Sequence, residues 1–229
     1  RMTDWSSKAK GIIYAWYGGQ MGNVALAEVI SGKTNPSGKL PITIEKEFKD
    51  SPGDGYIPEG EKLYTGWSGD AEKKHKVFNI YYTEGVFASY RWYDSRNIEP
   101  LFPFGYGLSY TSFKYSNLRV SKEKFNVDDT LTVSFTIKNT GSLEGKEIAQ
   151  LYIHDVKSSV PRPVKELKGF EKLDLKPGES KIVEIKLDKK DFSFWNPATK
   201  CWFAEKGKFI LDVGSSSKDI KLQKEVELL

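Results

Sequence analysis

Residues 8–45, KAKGIIYAWYGGQMGNVALAEVISGKTNPSGKLPITIE, contain the pattern that decides the fold of the N-terminal part. The run at 11–17 is continuously apolar, which favours a strand buried on both faces. A pair of glycines ends it, and the spaced apolar residues after Gly22 indicate an amphipathic helix with Gly32 near its C-terminal end. After an Asn-Pro-Ser-Gly turn, residues 39–45 resume as a second short strand. The stretch therefore predicts a strand–helix–strand unit of an open α/β sheet.

A single unit of this kind cannot form a domain by itself. A parallel sheet needs several neighbouring strands and helices on both faces before its backbone groups and apolar side chains are covered. We therefore expect residues 1–45 to be the final piece of a larger α/β domain whose other half lies upstream.

The middle of the chain changes character twice. Residues 48–77 are rich in Gly, Pro, Asp, Glu and Lys, so they are predicted to form a long irregular loop. Residues 79–93 return to an aromatic, strand-like composition. We assign 1–94 to the C-terminal part of the α/β domain, and 95–113 to an aromatic Gly/Pro linker that is too rigid in composition to be a floppy tether.

Residues 114–229 have the pattern of an all-β domain. Short apolar–polar alternations are separated by turn signals such as Asn-Thr-Gly and Lys-Pro-Gly-Glu. About seven short strands in a segment of this length predict a two-sheet antiparallel sandwich of the fibronectin-III-like kind. The predicted strands are 115–120, 130–138, 148–154, 166–173, 181–187, 201–204 and 208–213.

Composition argues against several classes of function. The 35 basic and 31 acidic residues give a net charge of +4 but are interspersed, so no basic stretch indicates a nucleic-acid partner. No apolar run is long enough to span a membrane. With only two histidines and one cysteine, the chain has little material for a metal cluster, a disulfide framework or a Ser-His-Asp triad. We expect no metal and no cofactor, and we interpret Cys201 as a packed strand residue.

Five collinear stretches carry distinctive combinations of Gly, Pro and aromatic residues. In order they read AWYGGQMGNVALAEVISGKTNPSGKLPITI at 15–44, YYTEGVFASYRWYD at 81–94, EPLFPFGYGLSYTSFKYSNL at 99–118, SVPRPVKELKGFEKLDLKPGES at 159–180 and DFSFWN at 191–196. The first three resemble signatures of glycoside hydrolase family 3, and the last two resemble the C-terminal domain of that family. One departure is Gly18, where the family commonly has Pro; Gly permits the turn but fixes it less firmly.

This resemblance implies both an architecture and an activity. Members typically combine a TIM-like barrel, a six-stranded α/β sandwich and a fibronectin-III-like domain, and act as retaining exo-glycosidases, most often on β-glucosides. The nucleophilic Asp lies in the barrel and the acid/base Glu lies upstream of the AWY motif. The resemblance therefore places both catalytic groups outside these residues. It implies two partners: a β-linked oligosaccharide or glucoside as substrate, and the barrel with the upstream α/β half, covalently joined or as a companion chain.

Three aromatic residues are candidate substrate-binding groups. Trp16 and Tyr17 lie at the end of the first predicted strand, where open α/β sheets form ligand crevices. Trp67 lies in the long polar loop, where an exposed ring has no obvious structural purpose. Stacking on a sugar would account for all three residues. Packing is the alternative: in a core for Trp16 and Tyr17, and against a neighbouring domain for Trp67.

Glycoside hydrolysis normally needs two carboxyl groups across the scissile bond. None of the glutamates in the N-terminal half lies in a context that marks it as buried or paired, so we assign no catalytic residue in this chain. The glutamates considered are Glu45, Glu47, Glu59, Glu61, Glu84 and Glu99.

Other interpretations stay open at this point. The sandwich is also compatible with a stand-alone carbohydrate-binding or adhesion module, although such a module has no need of the strand–helix–strand unit. A family 3 β-xylosidase or another exo-glycosidase is a further alternative. The resemblance implies a periplasmic or extracellular location, and the oligomeric state is not predicted.

Overall fold

The computed structural model describes residues 1–54 and 82–229. The N-terminal part is mostly irregular and contains two helices, α1 at Gly22–Ile30 and α2 at Tyr90–Ser95. Single 3₁₀ turns accompany them at Met2–Asp4, Ser6–Lys8, Phe48–Asp50 and Gly85–Phe87. Helix α1 lies where the apolar spacing predicted it, and Gly32 just beyond its end has a φ of +77°, as expected for a left-handed cap.

Three strand predictions in this part are wrong. Residues 11–17 form no strand and are exposed, because none of the described residues provides a neighbouring strand with which they could pair. Residues 39–45 form only an isolated antiparallel bridge between Ile44 and Phe102. Within 82–93 no residue lies in a strand: Tyr82 precedes the first element, and the other aromatic residues lie in a 3₁₀ turn and in α2. Residues 79–81 lie outside the described residues, as does most of the predicted loop 48–77.

The C-terminal part is a β-sandwich whose strands pair antiparallel, except that the two-residue strand Lys124–Phe125 runs parallel to Ile220–Leu228. One sheet has three strands in the order β1-β3-β6, and the facing sheet has five in the order β2-β10-β9-β4-β5. Strands β7 and β8 form a separate two-stranded hairpin, preceded by the short helix α3 at Lys189–Phe192. The strands are β1 Phe113–Val120, β2 Lys124–Phe125, β3 Leu131–Asn139, β4 Gly145–Asp155, β5 Glu166–Leu175, β6 Ser180–Leu187, β7 Ser193–Asn196, β8 Cys201–Ala204, β9 Gly207–Gly214 and β10 Ile220–Leu228.

The core lies between the two large sheets and follows from alternation along the strands. In β3 the side chains of Leu131, Val133, Phe135 and Ile137 are fully buried, while the Ser, Thr and Lys residues between them are not. Such alternation is what a strand with one face on a core requires. Strands β4, β9 and β10 supply the opposing apolar side chains.

All seven predicted strands are confirmed, with ends that differ by at most three residues from the prediction. The sequence interpretation missed β2, β7 and β10. Strand β10 reads IKLQKEVEL, an alternation that would have predicted it had the many charged residues not obscured the pattern. Cys201 does begin a strand, but its side chain is exposed, so the prediction that it is packed is wrong.

Candidate functional site

The predicted substrate-binding residues of the N-terminal part lie on an exposed aromatic edge, formed by Tyr14, Trp16 and Tyr17. The rings of Tyr14 and Trp16 contact each other with centroids 4.6 Å apart. Trp16 is 51% exposed and has a φ of 50°, a left-handed conformation that is uncommon for a bulky residue. Tyr17 is fully exposed. Within the described residues, these rings are therefore not packed in a core.

A glycine turn joins the aromatic edge to helix α1. Gly19 has a φ of +61°, and a Cβ atom on Gly18 would lie 2.7 Å from the Gly22 Cα. Gly18 thus permits a close backbone approach that a side chain would obstruct. The turn ends in Gly22, whose N–H donates to the Gly19 carbonyl at 3.3 Å.

Several large apolar side chains close to this edge in the sequence are exposed. Helix α1 has no buried residue, although a surface helix normally covers one apolar stripe. Its Val24 and Ile30, together with Ile12 and Ile13 of the preceding segment, are exposed in the described structure. We call this set the apolar face of the N-terminal part.

The third predicted substrate-binding residue, Trp67, lies outside the described residues. Trp16 and Tyr17 lie side by side because they are consecutive in the sequence, and no contact between either of them and Trp67 is described. The assignment of all three to a sugar site stays a prediction.

The candidate carboxylates of the N-terminal half do not form a catalytic pair in the part of the chain that the structure describes. Glu45 accepts a hydrogen bond from the Tyr93 hydroxyl at 3.3 Å, and Glu47 pairs with the exposed Arg1 at 3.0 Å. Glu84 is partly buried and Glu99 is exposed. The remaining two candidates, Glu59 and Glu61, lie outside the described residues.

Residues 1–54 and 82–229 contain no group of three or more His, Cys, Asp or Glu side chains that could hold a metal ion. In the same residues, no helix has the length and apolar character needed to cross a membrane.

Two carboxyl groups of the sandwich have raised pKa values. Burial raises the pKa of Asp212, which accepts a hydrogen bond from the Gln223 amide at 2.7 Å. Burial also raises the pKa of Asp191, whose carboxylate accepts the Asp188 N–H at 2.9 Å at the start of α3. Perturbed carboxyls indicate catalysis when they face a cleft beside a second reacting group. These two instead have structural partners within the sandwich.

The N-terminal part is joined to the sandwich by a chain of directional contacts that begins at Asn35. Its side-chain oxygen accepts from the Ser109 hydroxyl at 2.9 Å and from the Tyr110 N–H at 2.8 Å. Its side-chain NH₂ donates to the Glu144 carbonyl of the sandwich at 2.9 Å. One turn residue therefore fixes the linker and the edge of the sandwich at once.

A buried ion pair reinforces this contact. The Lys39 ammonium lies 3.1 Å from a carboxylate oxygen of Glu147 on β4, and both side chains are almost completely buried. The Tyr115 hydroxyl donates to the same carboxylate at 3.0 Å. Burial and this neighbouring negative charge raise the pKa of Tyr115, so the phenol stays protonated as the hydrogen-bond donor.

The linker also packs on the sandwich through stacked aromatic rings. Phe104 stacks on Tyr90 of α2 with centroids 4.8 Å apart, and Tyr90 meets Tyr152 of β4 edge-on at 5.8 Å. The Tyr90 hydroxyl accepts the Leu167 N–H at 2.7 Å. Helix α2, the linker and two strands therefore share one interface.

Gln150 links the linker to the sandwich through hydrogen bonds. Its side-chain NH₂ donates to the carbonyls of Gly105 at 3.1 Å and Ser215 at 2.7 Å, and its oxygen accepts from the Tyr152 hydroxyl at 2.5 Å. Gly105 has a φ of +79°, and a Cβ there would overlap the Gln150 amide. Glycine is thus required at position 105 for two reasons: the φ angle is positive, and a side chain would clash with Gln150.

Helix α2 is tied to the sandwich by charge as well. The Asp94 side chain is only 4% exposed and lies 2.8 Å from the Lys165 ammonium and 2.9 Å from that of Lys218.

Sequence reasoning did not identify Asp94, Glu147 or Gln150 as interface residues. Polar residues within apolar strands were a signal for the last two, but which partner each meets depends on tertiary contacts.

The geometry defines a class of protein: a largely irregular N-terminal part with two helices, clamped to a fibronectin-III-like sandwich. Residues 1–110 match the glycosyl hydrolase family 3 C-terminal domain, and residues 147–217 match the fibronectin type III-like domain. The chain belongs to glycoside hydrolase family 3 and corresponds to the C-terminal portion of its members.

Individual relatives agree with this assignment. The chain is 44% identical to thermostable beta-glucosidase B of Acetivibrio thermocellus over 98% of its own length and 28% of that relative. It is 41% identical to an exo-alpha-(1->6)-L-arabinopyranosidase of Bifidobacterium breve, over 94% of this chain and 26% of the relative. A crystal structure of a family 3 beta-glucosidase from Bifidobacterium adolescentis superposes with a TM-score of 0.85 at 37% identity, covering 99% of this chain and 31% of that one. The chain thus spans less than a third of the length of these relatives.

Proposed function

We propose that the protein containing this chain is a retaining, exo-acting β-glucosidase that hydrolyses terminal β-linked glucosyl residues. In this proposal the catalytic Asp and Glu lie outside the chain, and the chain completes the α/β domain and braces it against the sandwich. The observation that carries the proposal is the exposure of the residues of the apolar face, which are close to the aromatic edge in the sequence, in a chain similar to a beta-glucosidase along nearly its whole length.

The apolar face supports a role in completing a larger domain. Large exposed apolar patches in soluble proteins usually mark an interaction surface, since leaving them in water has a cost of about 25 cal/mol per Å². Ile12, Ile13 and Val24 lie in the very segment that the sequence predicts as a strand and helix of an α/β sheet. Once neighbouring strands are supplied, residues 11–17 have the composition to join them as a buried strand.

The aromatic edge supports contact with substrate. In an open α/β domain, Trp16 and Tyr17 would follow the carboxyl end of that strand, where ligand crevices form. We assign Trp16, Tyr17 and Trp67 to sugar contacts around the catalytic pocket.

The family resemblance further supports a periplasmic or extracellular location, and it supports a barrel and an upstream α/β half as covalent or companion partners.

The names of the relatives differ in the sugar that they specify. A relative as similar as 41% is named an arabinopyranosidase, so this segment does not by itself select glucose. The beta-glucosidase of Acetivibrio thermocellus and that of Bifidobacterium adolescentis support the gluco configuration.

The test is a comparison of aryl glycosides with the full-length polypeptide that contains this chain. We expect the highest kcat/KM on the aryl β-glucoside, with lower values on the β-xyloside and the α-L-arabinopyranoside. Trp16→Ala should raise KM for the glucoside, whereas Trp5→Ala, which removes another exposed indole outside the aromatic edge, should not. Preference for either of the other two glycosides would contradict the proposed substrate.

A further inference from the structure

A pair of exposed tryptophans stands out on the sandwich, far along the chain from the aromatic edge. Trp195 on β7 and Trp202 on β8 are cross-strand neighbours, with ring centroids 5.9 Å apart in an edge-to-face arrangement. They are 51% and 50% exposed. Indole rings normally contribute to a core or an interface, because burying one removes a large apolar area from water. Two half-exposed indoles on one short hairpin therefore indicate a contact surface.

Trp202 forms one wall of a cleft with a volume of about 430 Å³. The rest of the lining comes from the loop before β3, from the start of α3 and from the first residue of β7. This volume lies within the range of small-ligand sites. The remaining lining residues are Val127, Asp128, Asp129, Thr130, Asp188, Lys189, Lys190 and Ser193.

Several polar groups of the cleft are already engaged. The Asp129 carboxylate accepts from the Lys122 ammonium at 2.6 Å and from the Asn126 N–H at 2.7 Å. Asp188 accepts the Lys190 N–H at 2.7 Å, and the Lys190 ammonium lies 5.9 Å from the Trp202 ring centroid. These contacts shape the cleft and hold its walls in place.

Three exposed groups around the cleft are available to a ligand. In the described part of the chain, the Asp128 carboxylate, the Thr130 hydroxyl and the Lys189 ammonium have no hydrogen-bond or ion-pair partner. Together they offer acceptors and donors around an apolar ring. This combination matches a pyranose, which has an apolar C–H face and a rim of hydroxyl groups that both donate and accept.

The charge of the cleft argues for an uncharged ligand. Its lining contains three carboxylates and two ammonium groups, so neither sign dominates. An anionic ligand would meet the carboxylates, and a cationic one would meet the lysines.

We infer that the Trp202 cleft is a second carbohydrate-binding site, separate from the aromatic edge, which binds a neutral glycan chain by stacking one pyranose on the indole ring. The Asp128 and Thr130 side chains hydrogen-bond hydroxyl groups of that sugar. The choice of a β-linked glucan as this chain rests on the proposed function. A protein that removes glucosyl residues from the ends of such chains has a higher local substrate concentration if it also binds them at a second site.

The test is affinity electrophoresis of the full-length polypeptide in native gels that contain soluble mixed-linkage β-glucan. Saturating glucose is present throughout to occupy the proposed catalytic pocket. Retardation relative to a gel without polysaccharide gives the dissociation constant. We expect Trp202→Ala to weaken binding about tenfold, and Phe170→Ala, which removes an exposed ring elsewhere on the sandwich, to leave it unchanged.

A second variant tests the cleft without altering the β7–β8 hairpin, which Trp202→Ala could unfold. Asp128→Ala lies in a surface loop on another wall of the cleft, and we expect it to weaken binding about threefold, as loss of one hydrogen bond predicts. Absence of retardation in the wild type, equal retardation of wild type and folded Trp202→Ala, or retardation by anionic alginate alone would each overturn the inference. An aryl β-glucoside assay on the same wild-type sample separates the two claims: no turnover refutes the proposed function, while the glucan gels still decide the cleft.

Discussion

The ring of Phe104 lies stacked on the ring of Tyr90, with centroids 4.8 Å apart and 27° between their planes. Phe104 belongs to the predicted linker and Tyr90 to helix α2; the Tyr90 ring meets the ring of Tyr152 on β4 edge-on, and the carbonyl of the next linker residue, Gly105, accepts a hydrogen bond from Gln150. The linker is therefore a packed element of the sandwich interface, as its aromatic composition predicted. This explains how an N-terminal part with few buried side chains holds a defined position on the sandwich.

Phe104→Ala should lower stability through this contact. Truncation of a buried Phe typically costs about 3–5 kcal/mol, and Phe104 is only partly buried, so we expect about 2 kcal/mol. Thermal melting of the full-length polypeptide measures the loss. Phe170→Ala is the matched control, since Phe170 is exposed on β5 and its removal should shift the melting temperature little. Equal melting temperatures for Phe104→Ala and wild type would show that the linker does not clamp the sandwich.

Asp94→Ala should be more damaging than an equivalent change at the surface. It leaves the buried Lys165 ammonium and the neighbouring Lys218 without their counter-ion, and breaking a buried pair typically costs about 3–5 kcal/mol. Asp174→Ala removes an exposed partner of Lys146 and should cost less than about 1 kcal/mol. Chemical denaturation of both variants makes the comparison. Similar losses would mean that the Asp94 charges do not anchor α2.

Gln150→Leu should destabilise the interface although it keeps the side-chain volume. The change leaves the carbonyls of Gly105 and Ser215 and the Tyr152 hydroxyl without a partner, and each unsatisfied buried group costs about 1–3 kcal/mol. Gln150→Glu keeps an acceptor for Tyr152 but places a carboxyl oxygen against the two carbonyl oxygens, so we expect it to be at least as destabilising as Gln150→Leu. A melting temperature for Gln150→Leu at or above that of wild type would show that the network is dispensable.

How far sequence alone predicts this molecule differs between its two parts. In the sandwich, alternation such as that of Leu131, Val133 and Phe135 fixes both the strand and its buried face, so seven of the ten strands were predicted. In residues 11–17 the same physical reasoning failed, because a strand buried on both faces exists only when other strands flank it. Local composition cannot state whether those neighbours are present.

The interface residues show a second limit. Asp94 and Lys39 look like ordinary polar residues in the sequence, and their burial follows from which distant segments meet them. Conversely, the motif around Phe104 was recognisable, because aromatic and glycine residues packed so closely are unusual in a flexible connection. The candidate sugar contacts Trp16, Tyr17 and Trp67 stay predictions.

Tyr93→Phe should change the alkaline stability of the protein. Burial and the nearby Glu45 carboxylate raise the pKa of Tyr93 to about 12 from its ordinary value of 10.0. The unfolded chain therefore releases this proton at lower pH than the folded chain, and the free energy of unfolding decreases as the pH rises from about 10 to about 12. Below pH 9 the two proteins should have parallel pH profiles. Between pH 10 and 12 we expect wild type to lose stability more steeply than Tyr93→Phe; identical profiles would exclude this titration.

The central claim is that this chain completes a glycosidase whose catalytic carboxylates lie elsewhere. The most direct measurement is hydrolysis of an aryl β-glucoside by the 229-residue chain alone, by the separately expressed upstream part of the full-length polypeptide, and by a mixture of the two. We predict no turnover by the chain alone and restored turnover in the mixture, abolished when the apolar face is disrupted by Ile13→Asp. Turnover by the chain alone that is lost when one of its own carboxylates is replaced would contradict the account.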